Sequence, residues 1–275
     1  MKLQTIVDIK PSEWKIGYED KILMVGSCFS DEIGEQMKQR YLDVVCNPFG
    51  TLYNPLSIAR ALNMNEMPEL IEHEGLWHSM AHHGSLSRAD KHEAEEAIRG
   101  SVEAMQKALC EANVVIVTFG TSWAYEMNGA IVGNCHKLSE SCFTRRRLSV
   151  EEIVAAWKPI LEKYNDKHWI FTVSPIRHIK DGLHENQLSK ATLLLALETI
   201  RNQLSAISYF PSYEIMLDEL RDYRFYADDL VHPSSLAVNY IWERFVDTFC
   251  TNQTKNRMQI EYKRWKFEHH RPLHQ

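Results

Sequence analysis

Two places in this 275-residue chain carry the side chains of a covalent acyl-transfer centre. The first is Lys21-Ile22-Leu23-Met24-Val25-Gly26-Ser27-Cys28-Phe29-Ser30, an apolar strand that breaks at Gly26 and offers a hydroxyl and a thiol before an acidic helix start. The second, near the far end, is Asp228-Asp229-Leu230-Val231-His232-Pro233. A nucleophile at the carboxyl end of the first strand with a late Asp-x-x-His supplies nucleophile, acid and base in that order, which points to a hydrolase. A serine needs a base to become nucleophilic, whereas a cysteine is partly ionised near neutral pH and ionises further at a helix N-terminus, so either Ser27 or Cys28 would serve. The N–H groups around Cys28 and Phe29 open a helix, where an oxyanion could rest. His232 is the candidate base because Asp229, three residues earlier, reaches its ring and fixes the tautomer. Asp228 is the alternate acid, and Pro233 restrains the local backbone.

Positioning these groups requires a strand-turn-helix frame. Short apolar runs alternate with longer amphipathic ones, the pattern of a parallel sheet covered by helices on both faces. Strands are predicted at Lys21 to Val25, Leu42 to Cys46, Asn113 to Phe119, His168 to Val173 and Tyr213 to Leu217. Ser30, with Asp31 and Glu32, suits the start of the first helix. Asp90 to Ala112 places Ala94, Ile98, Val102, Met105 and Leu109 on one stripe. Ser149-Val150-Glu151-Glu152 is a capping box for a helix to about Tyr164 containing Pro159, and Ser189 is read as the cap of a helix to Ile207. The last helices run from about Ser235 to Cys250 and onward, directly after the His232-Pro233 turn. Two long stretches after the second and third strands, Gly50 to Arg88 and Gly120 to Leu148, are expected to wall the pocket, because loops at the carboxyl ends of parallel strands form the ligand crevice.

Composition narrows the class. With 44% apolar residues the chain can bury a large core, and a formal charge of -6 offers no general field for nucleic acid. Charges from Asp8 to Asp20 interrupt the N-terminus, and no long uncharged run appears elsewhere, so neither a secretory signal nor a membrane span is expected and cytoplasm is the default. Six scattered cysteines without C-x-x-C spacing suggest reduced thiols, with Cys46 and Cys110 as core residues. One domain, residues 1–250, with a basic helical extension at 251–275, accounts for the length.

The block Gly26-Ser27-Cys28-Phe29-Ser30 is similar to the signature of the GSCFA family, with Ser30 where that name has alanine; the family resembles a branch of the SGNH (GDSL-like) hydrolases. Asn47-Pro48-Phe49-Gly50-Thr51, Gly120-Thr121-Ser122-Trp123, Asn134-Cys135-His136-Lys137 and Ser174-Pro175-Ile176-Arg177-His178 resemble further family segments in the same order. The resemblance implies a flavodoxin-like three-layer α/β/α fold with about five parallel strands and a catalytic Ser, Gly, Asn and His drawn from four blocks. Counting from Gly26, it places Cys28 on the nucleophile and Ser27 on the aspartate of Gly-Asp-Ser, which favours Cys28 over Ser27. It places Gly50 and Ser122 in the oxyanion hole, with Asn134 as a substitute for Ser122, and matches Asp229 and His232 to the Asp-x-x-His block.

Other candidates follow the strands. Arg177 and His178 come after the fourth strand, where a guanidinium can hold a substrate carboxylate or phosphate. His73, His78, His82 and His83 invite a metal reading, but Ser79 stands where H-E-x-x-H needs its glutamate, so no metal site and no cofactor is expected. Thr144-Arg145-Arg146-Arg147 and the basic tail from Lys255 to Arg271 read as solvated faces or salt-bridge partners. The expectation is an enzyme that cleaves an acyl ester, on an acylated sugar or a small polar molecule, without nucleic acid or membrane partners. An acyltransferase using the same site and an inactive binding protein on the same fold are the alternatives.

Overall fold

The computed structural model describes residues 4–204 and 207–269. Five parallel strands, β1 (Lys21–Gly26), β2 (Asp43–Cys46), β5 (Val114–Phe119), β9 (His168–Val173) and β10 (Ile207–Phe210), form the main sheet in the order β10-β9-β5-β1-β2. That is the flavodoxin-like order, and its switch point lies between β1 and β5, where the strands' carboxyl ends open a crevice. Alternation along the buried strands splits their side chains between two cores. Leu23, Val25, Val115, Val117 and Phe171 meet α2 (Pro55–Asn63), α3 (Lys91–Glu111), α4 (Val150–Lys163) and α5 (Leu183–Gln203) on one face. Ile22, Met24, Ile116 and Ile170 meet α1 (Cys28–Lys38) and α7 (Ser235–Phe249) on the other.

The predicted α3 stripe is buried, and Ser149 and Glu152 form the reciprocal capping bonds. The two long segments build small elements of their own. The first holds α2 and the hairpin β3 (Leu70–His73)–β4 (Leu76–Ser79); the second holds a three-stranded antiparallel sheet, β6 (Trp123–Met127), β7 (Ala130–Val132) and β8 (Thr144–Arg147). The arginines of β8 are ion-paired: Arg145 with Asp181, Arg146 with Glu126 and Glu152, and Arg147 with Glu185. The C-terminal α8 (Asn252–Glu268) docks through buried Met258, while Phe267 stays exposed; the end of the expected extension, 270–275, lies outside the described residues. No helix among the described residues is long and apolar enough to cross a membrane.

Three elements differ from the sequence reading. The fifth strand is Ile207–Phe210, and Tyr213 to Leu217 is helical instead: α6 (Ser212–Glu214) continues as a π-helical turn, Ile215–Leu220. Pro211 cannot donate to a strand ladder, so it ends the strand before those apolar residues, which then pack at helical spacing. α5 begins at Leu183, not at a Ser189 cap, because nothing in Leu183 to Leu188 breaks a helix and the Ser189 hydroxyl bonds elsewhere. α1 begins at Cys28, with Ser27 rather than Ser30 as N-cap. All six cysteines are free; Cys110 is exposed on α3 and so is not a core residue, while Cys46, half-buried, packs against the edge of the core.

Candidate active site

The turn after β1 is built by one glycine and one asparagine. Gly26 has φ +138°, and a Cβ there would lie 2.2 Å from the Thr118 carbonyl oxygen of the neighbouring β5, so only glycine lets the two strands close at this point. Asn47, itself left-handed at φ 45°, accepts the Gly26 N–H on Oδ1 at 2.8 Å and donates from Nδ2 to Asp31 at 2.8 Å. The Asn47-Pro48-Phe49-Gly50 block is therefore a brace for the β1–α1 turn.

This brace sorts the two candidate nucleophiles. Ser27 is fully buried, makes no capping bond, and its Oγ has no hydrogen-bond partner among the described residues. Cys28, the first residue of α1, is half-buried and lines a cavity of about 530 Å³ at the carboxyl ends of the strands. A helix start leaves its first N–H groups without intrahelical partners. The N–H groups of Cys28 and Phe29 favour the thiolate, but burial outweighs them and, with Asp31 and Glu32 nearby, pushes the Cys28 pKa up. The resting thiol is thus protonated, contrary to the helix-activated thiolate expected, and it depends on a base.

The candidate base, His232, lines the same cavity. Asp229 Oδ1 accepts the N–H groups of Val231 at 2.8 Å and His232 at 2.9 Å, while Oδ2 accepts from His232 Nδ1 at 2.6 Å. These bonds, the backbone N–H of His232 foremost, hold the Asp229 pKa down to about 2. The carboxylate fixes the tautomer with Nε2 as the free lone pair. Leu230 turns left-handed (φ 56°) to let Asp229 reach back, and the Ala227 N–H to His232 carbonyl bond closes the loop. Arg177, expected to contact substrate, also buttresses this loop: its N–H bonds the Val231 carbonyl and its guanidinium the Leu230 carbonyl, both at 3.1 Å.

Two predicted oxyanion donors are committed elsewhere. The Gly50 N–H donates to the Asn47 carbonyl at 2.8 Å, and Ser122, fully buried, donates its hydroxyl to Ser189 at 3.2 Å. Neither lines the cavity; Asn134 does. Its Oδ1 accepts from the His136 N–H, which leaves its amide N–H groups as donors. The sequence reading missed Asn54, which lines the wall in the same state, its Oδ1 capping α2 through the Ser57 N–H. Asn54-Pro55 was a legible helix-start signal, but the cavity contact was not. Trp123 and Tyr125 face the cavity from β6, with the Arg145 guanidinium 4.2 Å above the Trp123 ring. His178 also lines it, and burial, with the Lys190 ammonium, lowers its pKa to about 4, so it stays neutral.

The histidines of the β3–β4 region serve packing. His82 stacks on Phe49 at 4.0 Å, His78 on His136 at 4.4 Å, and His136 Nε2 meets the Ser79 carbonyl at 2.9 Å. Among the described residues no three His, Cys, Asp or Glu side chains are grouped to hold a metal ion.

No curated protein matches the chain. Similar solved structures include an acetyl xylan esterase (Est2A) from the rumen bacterium Butyrivibrio proteoclasticus, at 12% identity and TM-score 0.45, covering 89% of this chain and 65% of that one. The chain therefore spans just under two thirds of that esterase's length. A carbohydrate esterase family 3 structure from Talaromyces cellulolyticus matches at 10% identity and TM-score 0.38, over 89% of this chain and 99% of that one. A family two carbohydrate esterase from Clostridium thermocellum in complex with cellohexaose matches at 12% identity and TM-score 0.37, over 92% and 67%. The GSCFA family model covers residues 21–245, from the first residue of β1 through most of α7. The chain belongs to the GSCFA family.

Proposed function

We propose that this protein is an SGNH-like esterase that cleaves acyl esters, on an acylated sugar or a small polar molecule, through a covalent Cys28 intermediate. The observation that carries the reading is His232, its ring held by Asp229, lining one cavity with a thiol at the N-terminus of α1. His232 Nε2 takes the thiol proton as Sγ attacks the ester carbonyl, and the oxyanion meets the free N–H groups of Cys28 and Phe29. Asn54 and Asn134 offer further donors. The C–O bond breaks, the departing alkoxide takes the proton from His232, and a thioester remains. His232 then removes a proton from water, the hydroxide attacks the thioester, and the thiol leaves with that proton restored. Trp123 and Tyr125 suit a sugar face.

The test is hydrolysis of p-nitrophenyl acetate together with iodoacetamide labelling of Cys28. The expected result is turnover that is lost on alkylation and on His232→Ala; labelling without any turnover counts against the reading. Product analysis with sugar acceptors separates hydrolysis from acyl transfer. A binding protein without turnover is the second reading, favoured by the commitment of Gly50 and Ser122 to other partners and by the raised Cys28 pKa.

A further inference from the structure

A second, smaller cavity of about 230 Å³ opens beside the first, and Arg177 lines both. The two share further framing. Asn186, near the start of α5, lines the second and is 4% exposed. Its Oδ1 accepts the N–H of His178, which lines the first, at 2.9 Å, and its amide N–H groups remain as donors. Tyr223 and Tyr226 line the second cavity from the segment that leads into the base loop: Tyr226 is bridged to Pro233, the residue after His232, and the Ser234 N–H donates to the Phe225 carbonyl at 2.7 Å. The Arg177 guanidinium lies 5.2 Å from the centre of the Tyr226 ring and 5.9 Å from that of Tyr223. Among the described residues it bonds the Leu230 carbonyl alone, so most of its N–H donors are open. Sites that hold a whole small molecule run to roughly 300–1,000 Å³. A cavity of about 230 Å³ therefore suits one part of a ligand whose remainder lies in the 530 Å³ cavity next to it.

We propose that the second cavity is a sugar subsite: it holds the ring next to the one that carries the ester, with Arg177 at the junction. The inference rests on the acylated-sugar form of the proposed esterase. The lining decides which part of such an ester it takes. An acyl chain would strip water from Arg177, Asn186 and Gln187 and bond none of them, an uncompensated cost for each. A sugar ring lays its C–H face on a tyrosine and offers hydroxyls to the amides and the guanidinium. Tyr223 is 65% exposed, and Gln187 Oε1 accepts the Tyr213 hydroxyl at 2.7 Å, which leaves the Gln187 amide N–H groups as donors. Arg177 and the Tyr226 bridge both hold the His232 loop, so contacts made to a ring in this cavity act on the segment that positions the base and should appear in kcat/KM.

The test is acetate release from fully acetylated glucose, cellobiose and cellotriose, and from the xylose, xylobiose and xylotriose set, by wild type and Tyr223→Ala. In one set or the other, wild-type kcat/KM should rise about tenfold from one ring to two and hardly further to three, and Tyr223→Ala should remove most of the rise. Turnover of p-nitrophenyl acetate with no such rise in either set, or a rise that Tyr223→Ala keeps, overturns the proposal. So does a variant whose two-ring preference is intact while its preference for p-nitrophenyl hexanoate over acetate is altered, because the cavity then takes the acyl chain. If Tyr223→Ala does not fold by circular dichroism, Gln187→Ala, at the surface of α5, takes its place. If nothing is hydrolysed, p-nitrophenyl acetate included, the esterase reading fails and the subsite is read apart from it by nitrogen-15 NMR. The side-chain amide signals of Asn186 and Gln187 should then shift on titration with cellobiose or xylobiose, and unmoved signals overturn the subsite as well.

Discussion

Ser27 and Cys28 are adjacent in sequence, and replacing each by alanine should have opposite consequences. The Ser27 hydroxyl is fully buried, makes no capping bond and has no partner among the described residues. A buried hydroxyl without a hydrogen bond costs about 1–3 kcal/mol, and the usual loss on removing an N-cap does not apply where no cap bond exists. Ser27→Ala should therefore leave stability unchanged or raise it by about 1 kcal/mol, an upward Tm change of roughly 2 °C for a chain of this size. Its kcat/KM should stay within about threefold of wild type. Cys28→Ala removes the proposed attacking atom from a half-buried site, so stability should hardly move while kcat/KM falls on the order of 10³-fold or more, about 4 kcal/mol of transition-state stabilisation. The assay is p-nitrophenyl acetate hydrolysis beside thermal melting of both variants. Turnover that survives in Cys28→Ala but is lost in Ser27→Ala would falsify the assignment of Sγ as nucleophile.

Asp229→Asn should keep the loop, since an amide oxygen can still accept the Val231 and His232 N–H groups, yet lower kcat on the order of 10²–10⁴-fold by losing the tautomer control; steady-state kinetics report it. Gly26→Ala places a methyl against the Thr118 carbonyl at a backbone angle only glycine accepts, so urea unfolding should show a loss of more than about 3 kcal/mol; an unaltered midpoint would mean the turn can open. Stability should fall on acidification from His82, whose pKa burial lowers from 6.5 to about 3. Between those values the unfolded chain binds the extra proton, so this contribution is complete above pH 6.5 and declines toward pH 3, about 5 kcal/mol in all. Urea denaturation at pH 7 and pH 4 measures it, and His82→Gln should flatten the slope.

Much of the frame was legible because its signals are local. The strand-turn-helix of residues 21–38, the capping box at Ser149, the α3 stripe and the Asp229-x-x-His232 loop each depend on neighbours within a few positions, so residue type and spacing report them directly. The fifth strand was misplaced because Tyr213 to Leu217 is as apolar as Ile207–Phe210, and composition does not say which run finds an edge of the sheet. Ser189 looked like a cap for the same reason: a serine hydroxyl suits a helix start, and only the packed turn after β5 shows it bonding Ser122.

The site divides along the same line. Sequence determined the chemistry available: a Gly-Ser-Cys turn feeding a helix, and an imidazole held by the aspartate three residues before it. Tertiary structure decided which atom is presented, turning the Ser27 hydroxyl into the core and Cys28 toward the cavity, because Gly26 must close against Thr118. It also committed the Gly50 N–H to Asn47, tied Ser122 to Ser189, and set Arg177 between two cavities. These outcomes depend on where far-separated segments meet, and a donor's availability is settled by whichever acceptor the fold brings to it first.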